Sequence, residues 1–241
     1  MVLPLKALLL AAGKGTRLRP YTYHAPKCLV EIGGEPLLGR WLKNLERIGC
    51  QRTLINTHYL SEKVEEYLLA LKLDKMELET IYEKELLGTA GTLLANKKFF
   101  DGATGLLIHS DNYTNTDLSL LIEAHHQRPS NCELTMLTFN TKTPESCGIV
   151  LTDSKGVVQQ FYEKESDPPG RTANGAIYVF DQPFLDNLCL QNQRVKDFSR
   201  DVLPQMVGHI FTFHTNKEYL DIGTPETLRE AQEHCKKSFY N

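Results

Sequence analysis

An apolar strand, Leu5 to Ala11, broken only by Lys6 near its start, runs into two glycines, and this junction constrains the chain more than any other feature. A strand without polar alternation is buried on both faces, as in parallel sheets covered by helices. The residues that follow read AAGKGTRLRPYTYHAPKCLV (11–30) and keep neither helical nor strand period as far as a Pro-Lys pair at Pro26 and Lys27. An irregular stretch of that length inside a compact domain is uncommon unless it binds something.

The strand-helix cycle then repeats. Leu37 to Ile48 has helical spacing with Gly49 just past its end, 52–57 reads as a strand, and Ser61 to Leu71 as a helix capped by Ser61. Next come a strand over 76–82, a helix over 89–98, a fourth strand over 105–110 and a helix from about Leu118 to Gln127. Such alternation predicts an α/β fold, a Rossmann-like, mostly parallel sheet flanked by helices, with ligands at the carboxyl ends of the strands. The loops leaving those ends are 12–35, 58–60, 83–88 and 110–116. After Cys132 the texture becomes β-rich, over 133–139, 148–152, 157–163, 173–180 and 210–214. These strands either extend the sheet, making it mixed, or form a small lobe over its open edge. No linker divides the chain, so a single domain over 1–241 is expected.

Bulk properties narrow what the loop can bind. With 41% hydrophobic and 24% charged residues the chain is globular, and disorder is excluded. A net charge of −3 gives no footprint for nucleic acid or an anionic membrane, so the expected partners are small molecules. The N-terminal apolar run, 7–12, is too short to cross a membrane and lacks a secretory cleavage pattern, so a cytoplasmic location is expected. Six cysteines without any C-x-x-C point to neither a zinc site nor a disulfide framework, and the eight histidines, His125-His126 included, show no metal spacing. A homo-oligomer is left open.

A glycine-rich turn after a first strand presents backbone N–H groups to an anion. G-x-G-x-x-G would need glycine where this chain has Leu18, and the P-loop spacing is absent, which disfavours a dinucleotide oxidoreductase. What remains is Gly13-Lys14-Gly15-Thr16-Arg17 with Lys27 beyond it. Arg17 offers a planar fork and Lys27 a mobile point charge, two kinds of cation for a polyphosphate. Taken alone, the segment reads equally well as a tight turn with surface cations. Asp111 alone reads as an Asx-turn residue or helix cap. Asp221, held between apolar neighbours in YLDIG (219–223), adds a second hard carboxylate, and magnesium needs only one or two beside phosphates and water. Glu163 and Lys164 follow an alternating strand, so their side chains point to opposite faces unless a bulge intervenes; alone, such a pair reads as a surface ion pair. Gly88 and Gly91 read as a helix entry, with room for a base against the backbone.

Six blocks, in order, resemble the sugar-1-phosphate nucleotidyltransferase family: GKGTR with the later Pro-Lys, EKELLGTAGTL (83–93), HSDN (109–112), FYEKE (161–165), NGAIYVF (174–180) and YLDIGTPE (219–226). In the detail of GTAG the chain looks most like guanylyltransferases of the mannose-1-phosphate type. The resemblance implies a nucleotide-binding half, 1–131, and a sugar-phosphate-binding half, 132–241. It places Leu10, Ala12, Gly13, Gly15, Thr16, Arg17, Glu83, Gly88 and Thr89 at the nucleotide, with Glu83 and Gly88 at the base edge. Lys27, Asn112, Gly148, Glu163, Lys164 and Asn174 fall to the sugar phosphate, and Asp111 and Asp221 to a magnesium ion. Arg17, Lys27 and Asp111 are the expected catalytic groups.

The implied reaction moves a nucleotidyl group from an NTP to a sugar 1-phosphate, giving NDP-sugar and pyrophosphate. A carboxylate accepts but cannot donate, so Glu83 suits the adjacent N–H donors of guanine and favours GTP. A uridylyltransferase and a non-catalytic nucleotide-sugar-binding subunit are the other readings. Three positions depart from the family: Ser110-Asp111-Asn112 where many relatives have Gly-Asp, Asn174-Gly175-Ala176 where many have Asn-Ala-Gly, and Cys28 where proline is common. Cys28 has no paired base and is read as a neutral replacement. At this length the β-helix that some relatives carry is not expected.

Overall fold

The computed structural model describes residues 3–191 and 195–238. In chain order its strands are β1 (Leu5–Leu10), β2 (Glu31–Ile32), β3 (Glu35–Pro36), β4 (Cys50–Thr57), β5 (Glu77–Tyr82), β6 (Thr104–His109), β7 (Asn112–Thr114), β8 (Leu134–Asn140), β9 (Gly148–Thr152), β10 (Val158–Glu163), β11 (Thr172–Phe180), β12 (Ile210–His214) and β13 (Tyr219–Asp221). The α-helices are α1 (Leu37–Arg47), α2 (Ser61–Ala70), α3 (Thr89–Ala95), α4 (Leu118–His126), α5 (Gln182–Gln191) and α6 (Pro225–Ser238). The architecture is the expected α/β one, a mixed parallel and antiparallel sheet flanked by helices.

Contacts divide the chain into two compact units, each assembled from separated stretches. The loop unit takes Ala7–Leu86, His109–Thr116 and the chain from Lys217 on; the antiparallel unit takes Leu87–Ile108, Asp117–Asn216 and the start of the chain. This is a division by packing, distinct from the division by ligand into 1–131 and 132–241.

In the loop unit β1 lies beside β4, and β4 pairs in parallel with β5 from Arg52↔Glu77 to Thr57↔Tyr82. The apolar run from Ala7 has the expected cause: Ala7, Leu8 and Leu9 are wholly buried. Helix α1 turns Leu38, Trp41, Leu42 and Leu45 inward at helical spacing. Segment 11–30 is held by three single 3₁₀ turns, Thr16–Leu18, Tyr21–Tyr23 and Lys27–Leu29. Leu18 anchors it, buried in a cluster with Val30, Ile32, Leu37, Tyr113, Ile222, Leu228, Ala231 and Cys235. Full burial of a leucine contributes roughly 1.5–3 kcal/mol, enough to hold an otherwise irregular loop. The last three of that cluster come from α6, Tyr113 is the middle residue of β7, paired with Leu220 of β13, and Ile222 follows β13.

In the antiparallel unit β11 is central, antiparallel to β6 (Ile177↔Ile108 to Phe180↔Gly105), to β8 and to β9, while β12 pairs in parallel with β8. Its core is aromatic, with ring centroids 4.6 Å apart for Tyr178–Phe198 and 5.5 Å for Phe180–Phe184. Helix α4 is capped by the Asp117 side chain, which accepts from Ser119 N at 3.0 Å. The expected cap of α2 is corrected: Ser61 is its first helical residue, and Leu60, in the left-handed region at φ 51°, holds the cap position with no side-chain hydrogen bond. The histidine pair is structural in part, since His125 is buried with Nδ1 2.8 Å from Thr135 Oγ1 and Nε2 3.3 Å from Asp181 Oδ2.

Candidate active site

The loop unit brings its expected charged residues together. Antiparallel pairing of β7 and β13 sets Asp221 opposite Asn112, and Ile222 N donates to Asp111 O at 3.0 Å, so two aspartates distant in sequence become neighbours. Lys27 reaches both: its Nζ lies 2.5 Å from Asp111 Oδ2 and 3.4 Å from Asp221 Oδ1. Burial works against the Lys27 ammonium, but the carboxylates of Asp111 and Asp221 overcome it and raise the group above its ordinary value. Burial likewise pushes Asp111 upward, and the Lys27 ammonium, with His109 behind it, more than reverses the effect and leaves Asp111 below the usual carboxylate range. Lys27 and Asp111 therefore stand charged at neutral pH.

The glycine loop closes on the same cations. Gly15 has φ 59°, and a Cβ there would stand 2.9 Å from Thr22 Cγ2 and 3.0 Å from Lys27 Cβ, so only glycine lets the loop lie against the Lys27 stem. Thr22 Oγ1 donates to Gly15 O at 2.7 Å and ties the turn. Ala12 is buried; Gly13, Thr16 and Arg17 are exposed. Arg17 comes to Asp221 across Gly223: a Cβ built on Gly223 would be 3.3 Å from Arg17 Nη2 and 3.5 Å from Asp221 Oδ2. Each of these charges is fixed by a buried neighbour, Leu18 beside Arg17 and Ile222 beside Asp221. Leu10 ends β1, Asn112 opens β7 with its carbonyl accepting from Trp41 Nε1 at 2.9 Å, and Glu83 is buried just past β5.

Oxygen donors from two carboxylates are what magnesium takes alongside water and phosphate, so Asp111 and Asp221 fit it. Among the described residues no group of three or more His, Cys, Asp or Glu gathers as a metal cage.

The remaining expected residues lie in the antiparallel unit. Gly148 on β9 pairs with Glu163 on β10, and the Glu163 Oε2 stands 2.8 Å from where a Gly148 Cβ would be. Burial raises the Glu163 carboxyl, and Lys164 opposes it. Strand alternation stops here: Lys164 is left-handed at φ 55°, which returns its Nζ to 3.8 Å from Glu163 Oε1 instead of sending it to the opposite face. Asn174 starts a bulge in β11, where Ala176 has φ 50° and donates its N–H to Asn174 Oδ1 at 2.9 Å. The Asn174 amide also donates to Tyr178 OH at 2.8 Å. The glycine at Gly88 admits this chain's own backbone: at φ 82° its Cβ position is 2.5 Å from Lys196 O, which accepts from Ala90 N at 2.8 Å. Thr89 Oγ1 accepts from Phe198 N at 2.7 Å. Sequence reading did not find this strap over 195–202, because its close contacts run through backbone atoms.

A mixed α/β sheet whose strand-end loops gather cations and aspartates defines a class, and comparison with known proteins gives it a name: the chain belongs to the nucleotidyl transferase family, whose profile matches residues 6–238. Among particular relatives it is 30% identical over 227 residues to a mannose-1-phosphate guanylyltransferase catalytic subunit beta of Drosophila pseudoobscura pseudoobscura, covering 92% of this chain and 60% of that protein. It is 26% identical over 235 residues to a UTP--glucose-1-phosphate uridylyltransferase of Synechocystis sp., covering 91% and 60%. The solved structure of HddC from Yersinia pseudotuberculosis complexed with GMP-PN superposes with a TM-score of 0.76 at 25% identity, covering 95% of this chain and 98% of that one. The chain thus spans about 60% of the length of the curated relatives it matches.

Proposed function

We propose that the protein transfers a nucleotidyl group from an NTP to a sugar 1-phosphate and releases pyrophosphate, with GTP and a mannose-like acceptor favoured. The observation that carries this reading is the meeting of Lys27 with Asp111 and Asp221, 84 and 194 residues away, beside the Gly15 turn. The guanylyl preference draws on the mannose-1-phosphate guanylyltransferase relative and on the GMP-PN bound by HddC. The uridylyltransferase relative supplies the competing base.

A sugar 1-phosphate, with a second pKa of about 6, is already an ionised nucleophile at neutral pH, so no general base is required. The obstacle is repulsion between two anions. Backbone N–H groups of the glycine loop and the Arg17 guanidinium hold the leaving phosphates, while Lys27 neutralises the acceptor phosphate and aligns it for attack at the α-phosphorus. Glu163 and Asn174 position sugar hydroxyls. Magnesium, held by Asp111 and Asp221, would supply charge neutralisation between the substrates. Action in the cytoplasm fits six cysteines none of which is in a disulfide among the described residues.

The test is pyrophosphate release across a matrix of NTPs and sugar 1-phosphates with magnesium and with chelator. GTP with mannose 1-phosphate is expected to be fastest, and chelation to abolish turnover. Arg17→Ala and Asp111→Asn should fold with wild-type circular dichroism and lose at least about 100-fold in turnover, the scale of one lost phosphate-stabilising group. Near-wild-type rates in both would sink the assignment, and ligand-dependent melting shifts without pyrophosphate release would point to the non-catalytic binding subunit instead.

A further inference from the structure

The carboxylate that the family resemblance assigns to the base edge, Glu83, is not left to orient itself. Glu83 is 5% exposed, and its backbone is pinned at both ends, N donating to Thr57 O at 2.8 Å and O lying 2.8 Å from His58 Nδ1. Its side chain is held by Asn56, the penultimate residue of β4, itself 4% exposed. Asn56 Nδ2 donates to Glu83 Oε1 at 2.9 Å, and Asn56 Oδ1 accepts from Ala11 N at 2.7 Å. The second bond settles the sense of the first. Only the amide oxygen can accept the Ala11 N–H, so the amide NH₂ must face Glu83.

A buried carboxylate is costly unless hydrogen-bonded, and Asn56 provides that bond without cancelling the charge. A carboxylate has about four acceptor sites, so one given to Asn56 leaves capacity for a base. The same amide reaches the residue that opens the glycine loop. One buried side chain thus links the end of β1 with the end of β5, two places where the resemblance puts nucleotide contacts.

We propose that Asn56 is a positioning residue for base selection: it aims the Glu83 carboxylate at the N–H donors of the nucleobase and ties it in register with the phosphate loop. This rests on the reading of Glu83 as a base contact, and it adds a residue that touches neither substrate. It also explains why an amide, and not a cation, serves here. A cation on Glu83 would compete with the base for the charge.

Asn56→Asp separates the two bonds, since it can still accept from Ala11 N but faces Glu83 with an acceptor. Two adjoining carboxylates repel or must share a proton, so Glu83 is no longer held by a fixed amide donor. With the wild type's preferred NTP, KM is expected to rise at least 10-fold and selectivity over the other NTPs to fall at least 10-fold, while KM for the sugar 1-phosphate changes less than 2-fold. Asn56→Asp combined with Glu83→Gln rebuilds the bond with donor and acceptor exchanged. Its loss is expected to be smaller than the product of the single losses. Should Asn56→Asp not fold, Asn56→Ser, which also lacks the amide donor, carries the same expectation. A folded Asn56 variant with wild-type selectivity and NTP KM overturns the inference, as do fully multiplicative losses. A wild-type protein inactive with every NTP overturns the parent reading, and this one with it, before any variant is made.

Discussion

At the scale of single residues, chemistry is decided by what a side chain is packed against. Cys28 follows the Pro26-Lys27 pair and would invite a nucleophilic role, yet it is 1% exposed and burial pushes its thiol up to about 12. At pH 8 it carries almost no thiolate, the reactive species. Alkylation of the native protein followed by peptide mapping should therefore modify the half-buried Cys147 and Cys189 first, with Cys28 protected until unfolding. Preferential labelling of Cys28 would contradict its burial. The charged cluster was legible from residue types and order, because Arg17, Lys27, Asp111 and Asp221 stand in distinctive short blocks. Asn56 was not. A single amide near the end of an apolar strand looks like any strand terminus, and only its two hydrogen bonds, to Ala11 N and Glu83 Oε1, give it away.

At the scale of elements, local pattern succeeded where burial is one-sided or complete and failed where pairing is short or backbone-mediated. β1 and α1 were readable because their apolar spacing matches what they bury. α6 was missed because charges dominate PETLREAQEHCKKS, leaving only Leu228, Ala231 and Cys235 to mark the inward face. β7 and β13, three residues each, are too short for any period, though their register joins Asp111 to Asp221. The start of α3 shows the backbone case. Gly88 combines φ 82° and ψ 168° with a Cβ position 2.5 Å from Lys196 O. That region is essentially glycine-only, so Gly88→Ala should cost about 1–3 kcal/mol in backbone strain before any clash is counted. Gly91, inside the helix, meets Leu87 Cβ at 3.3 Å and Val195 O at 3.7 Å, and Gly91→Ala should stay within about 1 kcal/mol of wild type. Urea unfolding of the two variants checks the contrast, which disappears if the strap over 195–202 does not lie against Gly88.

At the scale of the whole molecule, pH dependence of stability reports on charges that folding has paired. Asp181 is the clearest case: His125, then Thr104 and Arg128, draw its carboxyl far below the usual range, against a burial effect that raises it. Thr104 Oγ1 donates to Oδ1 at 2.8 Å, Arg128 Nη2 lies 2.8 Å from Oδ2, and the His125 imidazole, kept mostly neutral by burial, lies 3.3 Å from the same oxygen. A carboxyl whose folded value is depressed stabilises fully above its unfolded value, near 3.9, and loses that contribution as pH falls toward the folded value. Asp181→Asn should therefore lower unfolding free energy at pH 7 by about 1.5–3 kcal/mol, the range for a hydrogen bond to a charged group. The other 29 of the 30 acidic residues titrate in both proteins, so subtracting the two stability curves leaves Asp181 and the His125 in contact with it. The difference should be flat from pH 7 down to about 4 and shrink steadily below it. A difference that widened in acid would mean that Asp181 is protonated more readily folded than unfolded, which its three partners forbid.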